Sequence, residues 1–302
     1  MKKIAITGGG GFVAGSMLRQ PPEGTELHAI TRGKPLAELP QVVWHSVDPM
    51  DAAALDACLD AIAPDAVVHT AAIAAIDYCQ AHQDEARAVN AEMAGRVAQA
   101  AARLGAKLVY CSTDNVFDGE RGRYTEEDPP QPVNFYGGTK VEGERLSAAA
   151  TPNHVIARVA IVMGLPMLGV GNSFLSRMIP VLESGEELGV PPQEIRSPID
   201  VVTLGQALNE LAGNDFTGIV HLSGNDIMNR WEMVRRIAVH LGFPAEQVVQ
   251  NDPTTIPGRA DRPTDVSLLN AKARSVLHTP FCGLEEGIAR VMALAPKPEG
   301  AA

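Results

Sequence analysis

Aromatic rings are scarce in this chain: Phe, Trp and Tyr together make up 4% of its 302 residues. Few side chains are therefore on hand to stack against a flat ligand. Cysteine is sparser still. Cys58, Cys79, Cys111 and Cys282 stand without C-x-x-C spacing, and the eight histidines show no paired ligand spacing. Neither a disulfide framework nor a metal site is expected, and the thiols read as reduced and mostly packed. No apolar run approaches the length of a membrane span, so a membrane partner is not expected either. Lys and Arg number 25 against 36 Asp and Glu, for a net charge of -11. Without a basic cluster such a balance repels a phosphate backbone and argues against nucleic acid as a partner. Met1-Lys2-Lys3 leads directly into an apolar strand and a glycine loop, with no h-region or small-residue cleavage site; a cytoplasmic protein is the expectation.

What is present is an ordinary globular composition, 45% hydrophobic and 20% charged, long enough for a nucleotide-binding domain with a smaller lobe attached. Short β-branched runs at Lys3–Thr7, Glu26–Thr31, Val42–Val47, Ala66–Ala71, Lys107–Ser112 and Val155–Ile161 alternate with helical stretches near Phe12–Arg19, Ala52–Ala61, Asp84–Leu104 and Tyr136–Ala149. That alternation is how parallel strands with crossover helices read. It predicts an α/β fold, a doubly wound parallel Rossmann-type sheet with a smaller C-terminal substrate-binding lobe. After Val162 the rhythm breaks into Gly/Pro-rich connections. Residues 1–163 are thus assigned to the Rossmann domain, with 200–224 returning to it through a Gly218–Leu222 strand, and 164–302 mainly to the second lobe.

The run Thr7-Gly8-Gly9-Gly10-Gly11-Phe12-Val13-Ala14 follows the first strand and opens the first helix, where a pyrophosphate needs close backbone approach and a positive helix end. Gly8, Gly11, Phe12 and Val13 are the expected contacts. Gly8 and Gly11 have T-G-x-x-G spacing, with Ala14 in place of a third glycine. At the end of the second strand, where a carboxylate would bind the ribose hydroxyls of NAD, stand Thr31-Arg32-Gly33-Lys34. Arginine's donors suit the 2′-phosphate of NADP. NADPH is the expected cofactor, with NADH as the alternative; Arg32 and Lys34 as plain surface cations is the competing reading. Asp48 is placed to bond the adenine amino group or simply to cap a turn, and Thr70, Ala71 and Ala72 end the fourth strand beside the cofactor.

Tyr136-Gly-Gly-Thr-Lys140 sets a phenol and an ammonium four residues apart, on one face of a helix. The lysine charge would favour phenolate and lower the tyrosine pKa. The strand ending Tyr110-Cys111-Ser112-Thr113-Asp114 delivers hydroxyls to the C-terminal sheet edge, where ligands bind in open α/β folds.

Ser112-Thr113-Asp114-Asn115-Val116-Phe117-Asp118-Gly119, followed by Tyr136-Gly-Gly-Thr-Lys140-Val-Glu-Gly-Glu144, resembles the dTDP-4-dehydrorhamnose reductase family of the extended short-chain dehydrogenase/reductase superfamily. Val89-Asn90-Ala91, Gly171-Asn172-Ser173-Phe174, Gly218–Gly224 and Arg262-Pro263 extend the likeness over nearly the whole chain. The resemblance implies NADPH-dependent reduction of the C4 ketone of a nucleotide-linked sugar, with Tyr136 as proton donor, Lys140 holding the ribose and Thr113 bonding the carbonyl oxygen. Ser112 is the reserve for Thr113, Asn90 joins the cofactor contacts, and Asn172, Arg196 and Arg262 are candidate substrate contacts. Each arginine could equally be a surface ion-pair residue. Ile161 stands where the family commonly carries a tryptophan against the sugar, which removes a flat surface from the pocket. Two other readings stay open: an epimerase or dehydratase of the superfamily, and a non-catalytic NADP-binding subunit like the regulatory beta subunit of methionine adenosyltransferase, which resembles the same family. A homodimer is plausible from the family.

Overall fold

The structure, a computed structural model, describes residues 1–168 and 173–295. Seven strands form its central sheet: β1 (Lys2–Thr7), β2 (Thr25–Thr31), β3 (Val42–Ser46), β4 (Ala66–His69), β5 (Lys107–Thr113), β6 (His154–Val159) and β7 (Gly218–Leu222). All neighbours are parallel, in the order 3-2-1-4-5-6-7. The central strands are nearly continuous runs of buried aliphatic residues, as a sheet covered on both faces requires. The chain winds outward from β1 in both directions, so a crevice opens at the carboxyl ends of β1 and β4.

The helices, in chain order, are α1 (Phe12–Arg19), α2 (Ala52–Ile62), α3 (Ile76–Ala81), α4 (Gln83–Arg87), α5 (Met93–Leu104), α6 (Phe135–Ala150), α7 (Phe174–Glu183), α8 (Val201–Gly213), α9 (Arg230–His240), α10 (Ala271–Val276) and α11 (Leu284–Leu294). On one face of the sheet α1 and α8 bury Met17, Leu18, Leu204 and Leu208 against Ile4, Ile6 and Val68. On the other, α2 and α5 bury Leu55, Leu59, Met93 and Val97 against Ala5, Val67 and Leu108. α7, α9 and α11 gather a separate core around Met163, Met178, Met233, Ile237 and Ile288, edged by short ladders such as Ile195–Arg196 with Met228–Asn229.

The single helix expected over 84–104 is interrupted. Between α4 and α5 the backbone widens into a π turn, Ala88–Glu92, a local insertion that often marks a functional site. It turns Asn90 inward, where the amide is fully buried.

Below the crevice lies a buried ion pair. Arg158 on β6 reaches Glu144 on α6 through Nε at 3.0 Å and a terminal nitrogen at 2.9 Å, and Ser112 on β5 donates to the same carboxylate at 2.5 Å. Arg158 also lies over the Phe117 ring. Removing one partner would strand the other charge in the interior. Glu144→Ala is therefore expected to cost about 3–5 kcal/mol in urea unfolding, and Glu144→Ala with Arg158→Met to recover most of it. A single-mutant loss below about 1 kcal/mol would show that the pair does not hold this region together.

Candidate active site

The carboxyl ends of β1, β4, β5 and β6 open into a cleft of about 690 Å³ between the sheet and the elements around the separate core. At one end lies the glycine loop. Gly8 has φ of 75°, and a Cβ there would sit 2.8 Å from the Ala71 nitrogen, so only glycine lets this loop close on the β4 end. Gly11 caps α1 without a side chain, and no acidic residue occupies the first turn. The positive helix end and its unpaired N–H groups are thus left to the cleft, where Gly11, Phe12 and Val13 line the wall. Thr70 and Ala72 line the same wall, with Thr70 Oγ1 donating to the Thr7 carbonyl at 2.8 Å.

Other expected cofactor contacts lie around this loop and not on the cleft. A Cβ on Gly10 would lie 3.1 Å from Thr31 Oγ1, which puts the β2 end beside the loop. Arg32, next along, is exposed and makes no hydrogen bond or ion pair among the described residues. Asp48 caps its own turn, accepting from the Met50 N–H at 3.0 Å. Ala71 backs Gly8. Asn90 accepts from the Ile73 N–H at 2.8 Å and donates to the Ile73 carbonyl at 3.0 Å and to Thr139 at 3.2 Å. Its amide is consumed in fixing the loop after β4, so it stands behind the wall.

Thr113, Tyr136 and Lys140 do come together. β5 ends at Thr113, and Asn134 caps α6 by accepting from the Gly137 N–H at 2.8 Å. A Cβ on Gly137 would drive into the Asn115 carbonyl, so the glycine lets the turn after β5 press against α6. One helical turn separates Tyr136 from Lys140, and all three side chains are buried at the cleft floor. The Lys140 ammonium lies 4.3 Å from the Tyr110 ring centroid, over its face. Burial brings its pKa down to about 8, against the pull of Cys111 and Glu144. Burial likewise pushes the Tyr136 phenol above its ordinary range, with the Thr113 hydroxyl opposing. The lysine was expected to lower that pKa; here desolvation raises it, and the phenol keeps its proton. Ser112 lines the floor, with its hydroxyl committed to Glu144.

The opposite wall comes from the chain after β6 and carries arginines: Arg177, Arg196, Arg230 and Arg262. Arg196, buried, donates to the carbonyls of Ile195, Thr264 and Pro263 and to Glu194. Glu194 also takes Arg230 and Arg259. Burial resists its ionisation, but Arg230 and Arg196 prevail and hold it below the usual carboxylate range. Arg262 bonds Asp77 at 2.9 Å, and Asp77 accepts from the Ala260 N–H at 2.8 Å, a link across the cleft mouth. Arg177, Arg230, Glu194 and Asp77 carry no motif, and nothing in their sequence surroundings signals them. Asn172 lies outside the described residues. Among the described residues no cluster suits a metal, and no helix is long and apolar enough to cross a membrane.

A Rossmann sheet with this glycine loop, and a Tyr-x-x-x-Lys pair on the helix after β5, defines an NAD(P)-dependent oxidoreductase of the extended short-chain dehydrogenase/reductase superfamily. Residues 1–295 match the RmlD substrate binding domain, and the chain belongs to that family, the dTDP-4-dehydrorhamnose reductases. It is 32% identical over 231 residues to the dTDP-4-dehydrorhamnose reductase of Sinorhizobium fredii, 74% of this chain and 73% of that protein. The crystal structure of the Bacillus anthracis dTDP-4-dehydrorhamnose reductase in complex with NADP superposes with a TM-score of 0.86 at 26% identity, covering 97% of this chain and 99% of that one. Methionine adenosyltransferase 2 subunit beta of Rattus norvegicus is 27% identical over 297 residues, 95% of this chain and 87% of that protein.

The depressed Lys140 pKa has a consequence for stability. Below about 8 the folded protein carries a buried ammonium; between there and the ordinary 10.5 the unfolded chain holds more protons, so folding gains as pH rises. Lys140→Met is expected to stabilise nucleotide-stripped protein at pH 7, with the advantage shrinking by pH 10. An advantage independent of pH would mean that Lys140 is not titrating as its burial dictates.

Proposed function

We propose that this protein is an NADPH-dependent reductase of a nucleotide-linked 4-keto sugar, acting in the cytoplasm and assembling as a homodimer. The observation that carries the reading is the meeting of Thr113, Tyr136 and Lys140 at the cleft floor, between the glycine loop and the arginine wall.

The residues fit a dinucleotide: Gly8 to Gly11 give the backbone approach, and the uncapped α1 terminus suits the pyrophosphate. Arg32 and Thr31, beside the loop, are placed for a 2′-phosphate. When bound, the coenzyme supplies the hydride that reduces the ketone carbon. Tyr136, kept protonated by burial, gives its proton to the carbonyl oxygen, and the charge of Lys140 steadies the phenolate left behind. Thr113 donates to the same oxygen. Arg177, Arg230 and Arg262 face the anionic end of the substrate, where planar donors suit phosphate oxygens, and Arg196, engaged by Glu194 and by backbone carbonyls, adds its charge to that wall.

Tyr136→Phe is expected to lower kcat by about 10²–10⁴-fold with NADPH affinity nearly unchanged, since it removes a proton donor and little contact area. Turnover at the wild-type rate would sink the mechanism. Arg32→Ala should weaken NADPH at least about tenfold more than NADH, the scale of one charge-assisted contact; equal losses would remove Arg32 from the 2′-phosphate site. The direct assay is NADPH oxidation at 340 nm with dTDP-, UDP- and GDP-linked 4-keto-6-deoxy sugars. The 27% identity to the methionine adenosyltransferase subunit favours a second reading, a nucleotide-binding regulatory subunit. Tight NADPH binding without oxidation, together with stoichiometric recovery of a partner enzyme, would select it. An epimerase or dehydratase would instead convert substrate with no net NADPH consumption.

A further inference from the structure

Asp114 has no part in that scheme, yet it lines the cleft next to Thr113. It is 2% exposed. Its Oδ1 lies 3.1 Å from Thr113 Oγ1 and 2.8 Å from Asn115 Nδ2. Oδ2 is buried with no hydrogen-bond partner among the described residues. An ionised carboxylate held this way leaves half its charge without donors, which is costly in the interior. A neutral acid buries the same oxygen as an ordinary carbonyl. The groups facing it are Tyr136 from α6, Arg196 from the Ile195–Arg196 strand, and Thr113 and Asn115 on its own turn. Arg196 favours the anion, but its guanidinium is already taken up by Glu194 and by backbone carbonyls. Burial prevails and raises the Asp114 pKa.

Thr113 has one proton to give. Its oxygen already receives the Asn115 N–H at 3.2 Å, and Asn115 Nδ2, bonded more closely to Asp114 at 2.8 Å, reaches it at 3.4 Å. If Asp114 were ionised, the Thr113 proton would have to point at it, and nothing would be left for a ketone oxygen. With a proton on Asp114 the bond runs the other way: the acid donates to Thr113 Oγ1, and the Thr113 proton turns to the cleft.

We propose that Asp114 is a positioning residue, held as a neutral acid, whose donation to Thr113 frees the Thr113 hydroxyl to donate to the substrate carbonyl. Carboxylic acids kept neutral by an apolar site serve as donors elsewhere in catalysis. Asp114 keeps its proton throughout; Tyr136 alone supplies the one transferred. The role rests on the reductase reading above, whereas the protonation state does not.

Two measurements test it. Infrared difference spectra of wild type minus Asp114→Asn, recorded at neutral pH with NADPH bound, are expected to show a protonated-carboxyl C=O band; a carboxylate band in its place overturns the proposal, whether or not any substrate turns over. In the NADPH assay, Asp114→Ala is expected to lower kcat about tenfold, the worth of one misdirected hydrogen bond, with KM and NADPH affinity little changed. Asp114→Asn, whose amide always donates, should restore most of that loss. In a Thr113→Val background Asp114→Ala should cost nothing further, and an equal cost in both backgrounds rejects action through Thr113. Absence of wild-type turnover with every ketone would defeat the reductase reading and leave the infrared band to decide the state of Asp114.

Discussion

Glu144 and Arg158 face each other inside the protein, and a charge so deeply placed has very few arrangements open to it. Glu144 must meet the Arg158 fork on β6 and the Ser112 hydroxyl on β5 together, which fixes both the height and the rotation of α6 over the sheet. The rest of α6 follows from that registration. One turn back, Lys140 comes to lie on the Tyr110 ring; another turn back, Tyr136 reaches the end of β5 beside Thr113. A buried pair of this kind adds little to stability compared with apolar packing, but its geometry is unforgiving, and here that rigidity sets the distance between two hydroxyls.

Much of the frame was legible because its signals are local. The glycine loop, the strand before it and the helix after it occupy adjacent residues, and Tyr136 and Lys140 lie within two turns of one helix. The α/β class follows from the same short-range alternation. What escaped the sequence depends on side chains meeting from distant places. Asn90 belongs to a recognisable run, yet only the π turn reveals that its amide grips Ile73. Ser112 has the look of a reactive hydroxyl, and its engagement by Glu144 shows only when β5 and α6 are stacked. Arg177, Arg230 and Glu194 sit in three unrelated segments with nothing to mark them. The Tyr136 phenol shows the same limit in electrostatics: four-residue spacing suggests a lowered pKa, while the burial that raises it is a property of the finished fold.

The two walls of the cleft are built by different means. The floor and the glycine loop rest on the central sheet, where β1, β4, β5 and β6 are paired on both sides and positions are set by the ladder. The arginine wall rests on two-residue ladders and on ion pairs radiating from Glu194, joined to the sheet side by the Asp77–Arg262 link.

Thr113 and Asp114 share one strand end, and Tyr136 and Lys140 follow on the next helix, so the proposed chemistry is encoded in a single short stretch of chain. The arginines of the other wall are scattered over the C-terminal half. Recombination or drift can therefore remodel one inheritance without disturbing the other: a lineage can trade its substrate while keeping hydride transfer, or let the chemistry lapse while the nucleotide grip persists as a scaffold.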